Sequence, residues 1–168
     1  MNRGYSREKY LELIKLIRQY VPDAAITTDI IVGFPGETEA DFQDTLNLVQ
    51  EVGFDAAFTF IYSKRSGTPA AKMTEQVPLE IKKQRLNQLM EAQNASSLRC
   101  NEKLVGQQVE VLAEGPSKNP AVWTGRTRTN KLVLWPAEGK NYYPGEKVMV
   151  LVDAAQTWLV KGKAVQDE

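Results

Sequence analysis

The stretch TTDIIVGFPGETEADF, residues 27–42, runs a β-branched apolar segment straight into Gly33, Phe34, Pro35, Gly36 and Glu37. Two glycines let a backbone approach a ligand or take positive φ, and Pro35 stiffens the bend between them. α/β proteins hold small molecules at such strand ends, although a plain strand-to-helix connection would use the same residues. The turn is not a phosphate loop, since it lacks the four-residue gap and the Lys-Ser/Thr ending, nor does it carry the three-glycine dinucleotide pattern. Glu37 and Glu39 also suit the positive end of the helix that follows. A second stretch, FTFIYSKRSGTPAAKM, puts Phe58, Phe60 and Tyr62 on one strand face by period two and follows them with Lys64 and Arg65. Such a face is usually core, yet aromatic rings beside cations also suit a nucleobase and its phosphates. A third stretch, WTGRTRTNKLVLW, gathers Arg126, Arg128 and Lys131 between Trp123 and Trp135. Alternation puts Arg126 and Arg128 on one face, either as an RNA-binding patch or as a solvated hairpin. Asp29, inside a strand, must be paired, face a cavity or sit at an edge.

Composition narrows the chemistry these residues could do. The 168 residues carry 21 Lys+Arg and 21 Asp+Glu, so no overall field draws the chain to nucleic acid or membrane, and any such partner needs a local patch. There is no histidine, which removes Ser-His and His-metal chemistry from this polypeptide. The single cysteine, Cys100, supplies neither a disulfide framework nor a zinc or iron–sulfur site, and reads as an incidental thiol on a helix. No signal peptide and no membrane-length apolar run is recognisable, so a cytoplasmic setting is expected.

The elements that must position these residues are legible from periodicity. Tyr10, Leu13, Ile14 and Ile17 recur at helical spacing after Ser6 as N-cap, and Pro22 closes the stretch. Residues 25–32 predict a strand whose nearly continuous apolar run implies that both faces are covered. Thr38 with Asp41 opens a helix that runs to Gly53, residues 54–62 form the next strand, and Pro78 sits near the first turn of a long polar helix reaching about Lys103. This is the rhythm of a parallel α/β sheet, but two strands cannot close a barrel. Residues 1–103 therefore predict the back part of a larger α/β domain, with an open sheet edge through which chains could associate. From Leu104 the texture turns short, alternating and β-rich, with five strand-like segments: residues 104–168 predict a small antiparallel barrel of the oligonucleotide-binding type.

Those three long stretches, in this order and spacing, resemble the radical-SAM methylthiotransferases, and within them the MiaB-like enzymes that act on isopentenyl-adenosine in tRNA. The resemblance covers essentially the whole chain. It implies the end of a radical-SAM (β/α) barrel followed by a TRAM domain that grips tRNA. In the family the complete enzyme uses S-adenosylmethionine, two 4Fe-4S clusters and an electron donor protein to put a methylthio group on C2 of the base beside the anticodon. The cluster cysteines of the pattern are absent here, so this polypeptide alone is expected to be inactive. By the resemblance, Ile31, Gly33, Gly36 and Glu37 match the strand and turn beside the cofactor's adenine, and Arg3 matches an arginine near its polar groups. Phe60, Tyr62, Ser63 and Arg65 match the strand end nearer the substrate nucleotide, and Arg126, Arg128 and Lys131 the RNA-facing part of the TRAM domain. A non-enzymatic RNA-binding module, or the branch acting on threonylcarbamoyl-adenosine, are the alternatives.

Overall fold

A computed structural model describes residues 4–165. The chain divides into two compact units, Met1–Ser96 and Ser97–Glu168, each with its own core. Arg3 lies outside the described residues.

The first unit opens with helix α1 (Arg7–Tyr20), where the Lys9 N–H donates to the Ser6 hydroxyl as the N-cap spacing predicts. Strand β1 (Thr27–Val32), helix α2 (Glu39–Val52) and strand β2 (Ala56–Ile61) follow, then a single turn of helix, α3 (Pro69–Lys72), and the long α4 (Leu79–Glu102), which belongs to the first unit as far as Ser96. α2 begins with a full capping box: Asp41 N–H donates to the Thr38 hydroxyl while the Thr38 N–H donates to the Asp41 carboxylate. It ends at Gly53, which takes the left-handed φ of 65° that lets the chain turn back toward β2. β1 and β2 pair in parallel as a two-stranded sheet, Asp29 opposite Phe58 and Ile31 opposite Phe60.

Only one face of that sheet is covered. Val32 is buried against Ile14, Phe42, Val49, Val52, Phe54 and Leu89, with Ile30 and Ile61 packed on the same cluster. On the other face Asp29, Phe58 and Phe60 are exposed. This corrects one reading of the sequence and narrows another. The apolar run of β1 does not mean that both faces are covered here, and of the two readings left open for the aromatic alternation of β2, core is excluded for Phe58, 71% exposed, and Phe60, 50% exposed.

α4 is the element whose sequence is least transparent. Its buried stripe, Lys82, Arg85, Leu89, Gln93 and Ser96, follows helical spacing but is mostly polar. Backbone carbonyls accept from each of its polar side chains, although the buried Arg85 Nε finds no partner among the described residues. The Lys82 ammonium donates to Tyr62 O, Arg85 to Glu37 O, and both the Gln93 amide and the Ser96 hydroxyl to Phe54 O.

In the second unit β3 (Gln108–Pro116), β4 (Val122–Thr127), β5 (Leu132–Pro136), β6 (Lys147–Ala155) and β7 (Val160–Ala164) close a five-stranded barrel in the order β3-β4-β5-β7-β6. The barrel is antiparallel except where β5 meets β7 in parallel over Val133↔Val160 and Leu134↔Lys161, which the expected all-antiparallel barrel did not contain. Inward alternation supplies the core, Val111, Val133, Trp135, Val148, Val150, Val152 and Val160, and Tyr142 from the β5–β6 connection meets Trp135 and Trp123 edge-on. Closure needs Gly125 and Gly162, because a Cβ at either would collide with the backbone of the neighbouring strand at Leu112 or Leu151. Bulges interrupt the ladders at Glu114 and Asp153.

Candidate functional site

Within the first unit the turn after β1 is held in a fixed shape by its own residues. Gly33 and Gly36 take φ of 73° and 81°, Glu37 N–H donates to Phe34 O at 2.9 Å, and Gly36 N–H donates to Glu75 O at 2.8 Å. At Gly33 two requirements coincide: positive φ, and a Lys82 stem lying where a Cβ would be. Pairing continues past the formal strand end, with Tyr62 N–H donating to Val32 O at 2.8 Å. The two strand ends are thus fastened together directly below the turn.

The Glu37 carboxylate is committed inside the protein. It accepts from the Gly33 N–H at 2.9 and 3.0 Å and from the Arg85 guanidinium at 2.8 Å, and the Glu37 and Arg85 side chains are only 12% and 7% exposed. The same guanidinium reaches Glu39 at 3.2 Å and lies 5.4 Å from the centre of the Phe42 ring. Glu37 therefore shapes the turn, and its reach toward a ligand is indirect. On the other strand Tyr62 packs edge-on against Phe34 at 5.2 Å, beneath the Lys82 ammonium, with its hydroxyl buried and unpaired. Ser63 and Arg65 are exposed in the loop that follows; the Arg65 carbonyl accepts from the Thr68 hydroxyl that caps α3. Ile31 and Phe60, register partners, lie side by side on the uncovered face at the same strand ends.

The structure brings together Ile31, Gly33, Gly36, Glu37, Phe60 and Tyr62, as one rim of strand ends and turn. It adds Lys82 and Arg85, which the sequence reading missed. The available signal was their spacing with Leu89 along α4, masked by the charge of that stripe. Among the described residues no group of His, Cys, Asp or Glu is arranged to hold a metal ion.

In the barrel, Arg126 sits on the outer side of β4, opposite Leu132, with its guanidinium 3.6 Å from Glu114 and 3.2 Å from Asn130 O. Arg128 is exposed but lies past the end of β4, so the period-two argument that put it beside Arg126 stops at Thr127. The Lys131 ammonium donates to the Asn101 side chain at 3.0 Å. Two of the three expected cations thus have partners within the protein. β7 carries two more, Lys161 and Lys163, on its exposed side.

The sequence model of the radical SAM superfamily matches residues 1–49 and that of the TRAM domain residues 102–165. Across 166 residues, 98% of the chain, it is 59% identical to the tRNA-2-methylthio-N(6)-dimethylallyladenosine synthase of Moorella thermoacetica, of which that stretch is 37%. Over nearly its whole length the chain is similar to a part of this synthase. The protein of the same name from Desulfitobacterium hafniense is 53% identical over 99% of the chain and 37% of its own length, and that from Bacillus cereus strain B4264 51% over 99% and 33%. The chain spans about a third of the length of these curated relatives. Its α/β unit is the end of a radical SAM domain, and its closed barrel is a TRAM fold. Among the described residues no helix is long and apolar enough to cross a membrane.

Proposed function

We propose that this chain is the part of a tRNA methylthiotransferase that supplies one rim of the S-adenosylmethionine site and the RNA-binding barrel. The enzyme would add a methylthio group to C2 of N6-dimethylallyladenosine beside the anticodon, in the cytoplasm, with an electron donor protein. Residues 1–103 act as the radical SAM portion and 104–168 as the TRAM domain. The observation that carries this reading is the rim itself: a glycine turn, braced from below by Glu37 and Arg85, ends β1 where Ile31 and its β2 partner Phe60 form an apolar pair on the uncovered face, in a chain 59% identical to the Moorella synthase.

The residues present fit the adenine part of S-adenosylmethionine. Ile31 and Phe60 offer an apolar surface beside the rigid turn from Gly33 to Gly36. That molecule, when bound, supplies the methyl group and the means to abstract hydrogen from the base. This chain's own residues position it. Arg85 and Glu37 hold the turn, Lys82 ties β2 to α4, Ser63 and Arg65 stand exposed toward the nucleotide side, and the uncovered sheet face excludes water once the rest of the barrel closes over it. A 4Fe-4S cluster does not fit: one cysteine and no histidine cannot ligate it.

The reading is tested by a chimera. Residues 4–165 replace the matching stretch of the Moorella synthase in a host lacking its own enzyme, and the tRNA nucleosides are analysed by mass spectrometry. Appearance of the 2-methylthio mark on dimethylallyladenosine is expected. A soluble, cluster-loaded chimera that leaves tRNA unmarked overturns the proposal, and a mark on threonylcarbamoyl-adenosine assigns the other branch.

A further inference from the structure

The barrel's cations are not equivalent. Arg126 faces Glu114, Lys147 faces Glu110 at 3.3 Å, and Lys131 is bound to Asn101, whereas Lys161 and Lys163 on β7, like Arg128 beyond the end of β4, form no ion pair among the described residues; of these only the two lysines line a groove together. Both project outward, since Val160 and Gly162 between and before them are buried. Strand pairing places Lys161 next to Leu134 of β5, and Lys163 next to Leu151 of β6. Beside them runs a groove of about 350 Å³ with Val122, Leu134 and Pro136 as an apolar wall. Asp153, lifted out of the β6–β7 ladder by its bulge, also lines the groove and offers an acceptor for a base amino group.

The hairpin that delivers these lysines carries one more unexplained group. Trp158, at the tip between β6 and β7, is 65% exposed. The tip is not loose: Gln156 N–H donates to Leu159 O, and the Asn101 side chain donates to both Gln156 O and Thr157 O, at 2.8 and 3.2 Å. An indole presented on a pinned turn, three residues before the first of two uncommitted cations, has the parts of a stacking platform with phosphate contacts beside it.

Resting on the reading of the barrel as an RNA handle, we infer that its principal RNA contact is the β6–β7 hairpin rather than the Arg126–Lys131 hairpin. Trp158 stacks on an unpaired base, Lys161 and Lys163 neutralise the flanking phosphates, and the groove beside Leu134 and Pro136 receives the next nucleotide. The chemistry recognised is a single-stranded segment of RNA. An apolar protein partner would bury Trp158 without needing the two free charges.

The test uses this chain with unfractionated tRNA and with poly(A) as probes. The variants are Trp158→Ala, Lys161→Gln/Lys163→Gln, and Arg128→Gln as the comparison. Loss of the lysine pair should weaken tRNA binding at least tenfold and flatten the plot of log affinity against log salt by about 1.4–1.8, the slope of two phosphate contacts. Trp158→Ala should weaken poly(A) binding by about fivefold to a hundredfold and abolish the quenching of tryptophan emission by RNA. Arg128→Gln should change affinity less than twofold. Lysine acetylation footprints of the unaltered chain give a readout independent of the variants' folding: RNA should protect Lys161 and Lys163 but leave Lys147 reactive. If the chain binds tRNA with an unchanged salt slope in the lysine variant, or RNA fails to protect those two lysines, this inference falls while the barrel remains an RNA handle. If the chain binds neither probe, the RNA reading falls with it, and Trp158 is left as a protein-docking residue.

Discussion

At Arg85 and Gly33, single residues carry the shape of the rim. The Arg85 to Glu37 pair is almost fully out of solvent, so removing one partner strands a charge. Arg85→Met should destabilise the chain by about 3–5 kcal/mol in a denaturant titration, and Glu37→Gln on top of it should recover part of that loss, because the uncompensated carboxylate is gone. Gly33→Ala meets both the positive φ and the Lys82 stem, and about 1–3 kcal/mol is expected from overpacking alone. Asp41 gives the pH dependence at this scale. Its carboxyl is held below the ordinary 3.8 mainly by the Thr38 hydroxyl and then by the Thr38 N–H. A carboxyl depressed by folding contributes stability above its unfolded pKa and loses it as pH falls through the folded one. The difference in melting temperature between the native chain and Asp41→Asn should therefore shrink as pH is lowered below about 3.8. Of these residues the sequence showed Gly33, Gly36 and the capping box, because their types are tied to local backbone geometry. It did not show what Glu37 contacts, since Arg85 lies forty-eight residues away.

Among the elements, α1, β1, α2, β2 and all five barrel strands could be read from spacing, caps and turn residues, to within a residue or three at their ends. α4 was readable as a helix but not as a buried one. A stripe whose inner positions are Lys82, Arg85, Gln93 and Ser96 has the composition of a solvated face, and only the carbonyls of Tyr62, Glu37 and Phe54 make it an inner one. The short α3 escaped notice because four residues carry no periodicity. In the barrel the parallel β5–β7 contact was out of reach, since alternation fixes which side chains point inward and says nothing of strand direction. Leu89 is the apolar anchor of α4's stripe and is fully buried, so Leu89→Ala should cost about 2–5 kcal/mol, measured by thermal or chemical unfolding. Ser96→Ala deletes a donor to a carbonyl that Gln93 also serves, and should cost about 0.5–1.5 kcal/mol.

For the molecule as a whole, the sequence showed two units of different texture and the incompleteness of the first, because two parallel strands cannot bury both faces of their own sheet. It left undecided whether the aromatic face of β2 would be core or open, since an aromatic alternation looks the same whether it meets the chain's own core or awaits another surface. Phe58 and Phe60 should make the isolated chain self-associate as concentration rises. Light scattering should show this, and Phe58→Ser/Phe60→Ser should return the chain toward monomer with little change in stability. Incubated with reductant, iron, sulfide and S-adenosylmethionine, the chain by itself should release no 5′-deoxyadenosine by liquid chromatography.

The carbonyl-anchored stripe of α4 has a mechanical consequence. A helix held by apolar packing alone can change register only by repacking its side chains, since interiors are close-packed. Lys82, Gln93 and Ser96 each grip a fixed oxygen, so any such slip would break every grip at once. α4 works as a dowel: it fixes its register against both ends of β2, at Phe54 and at Tyr62.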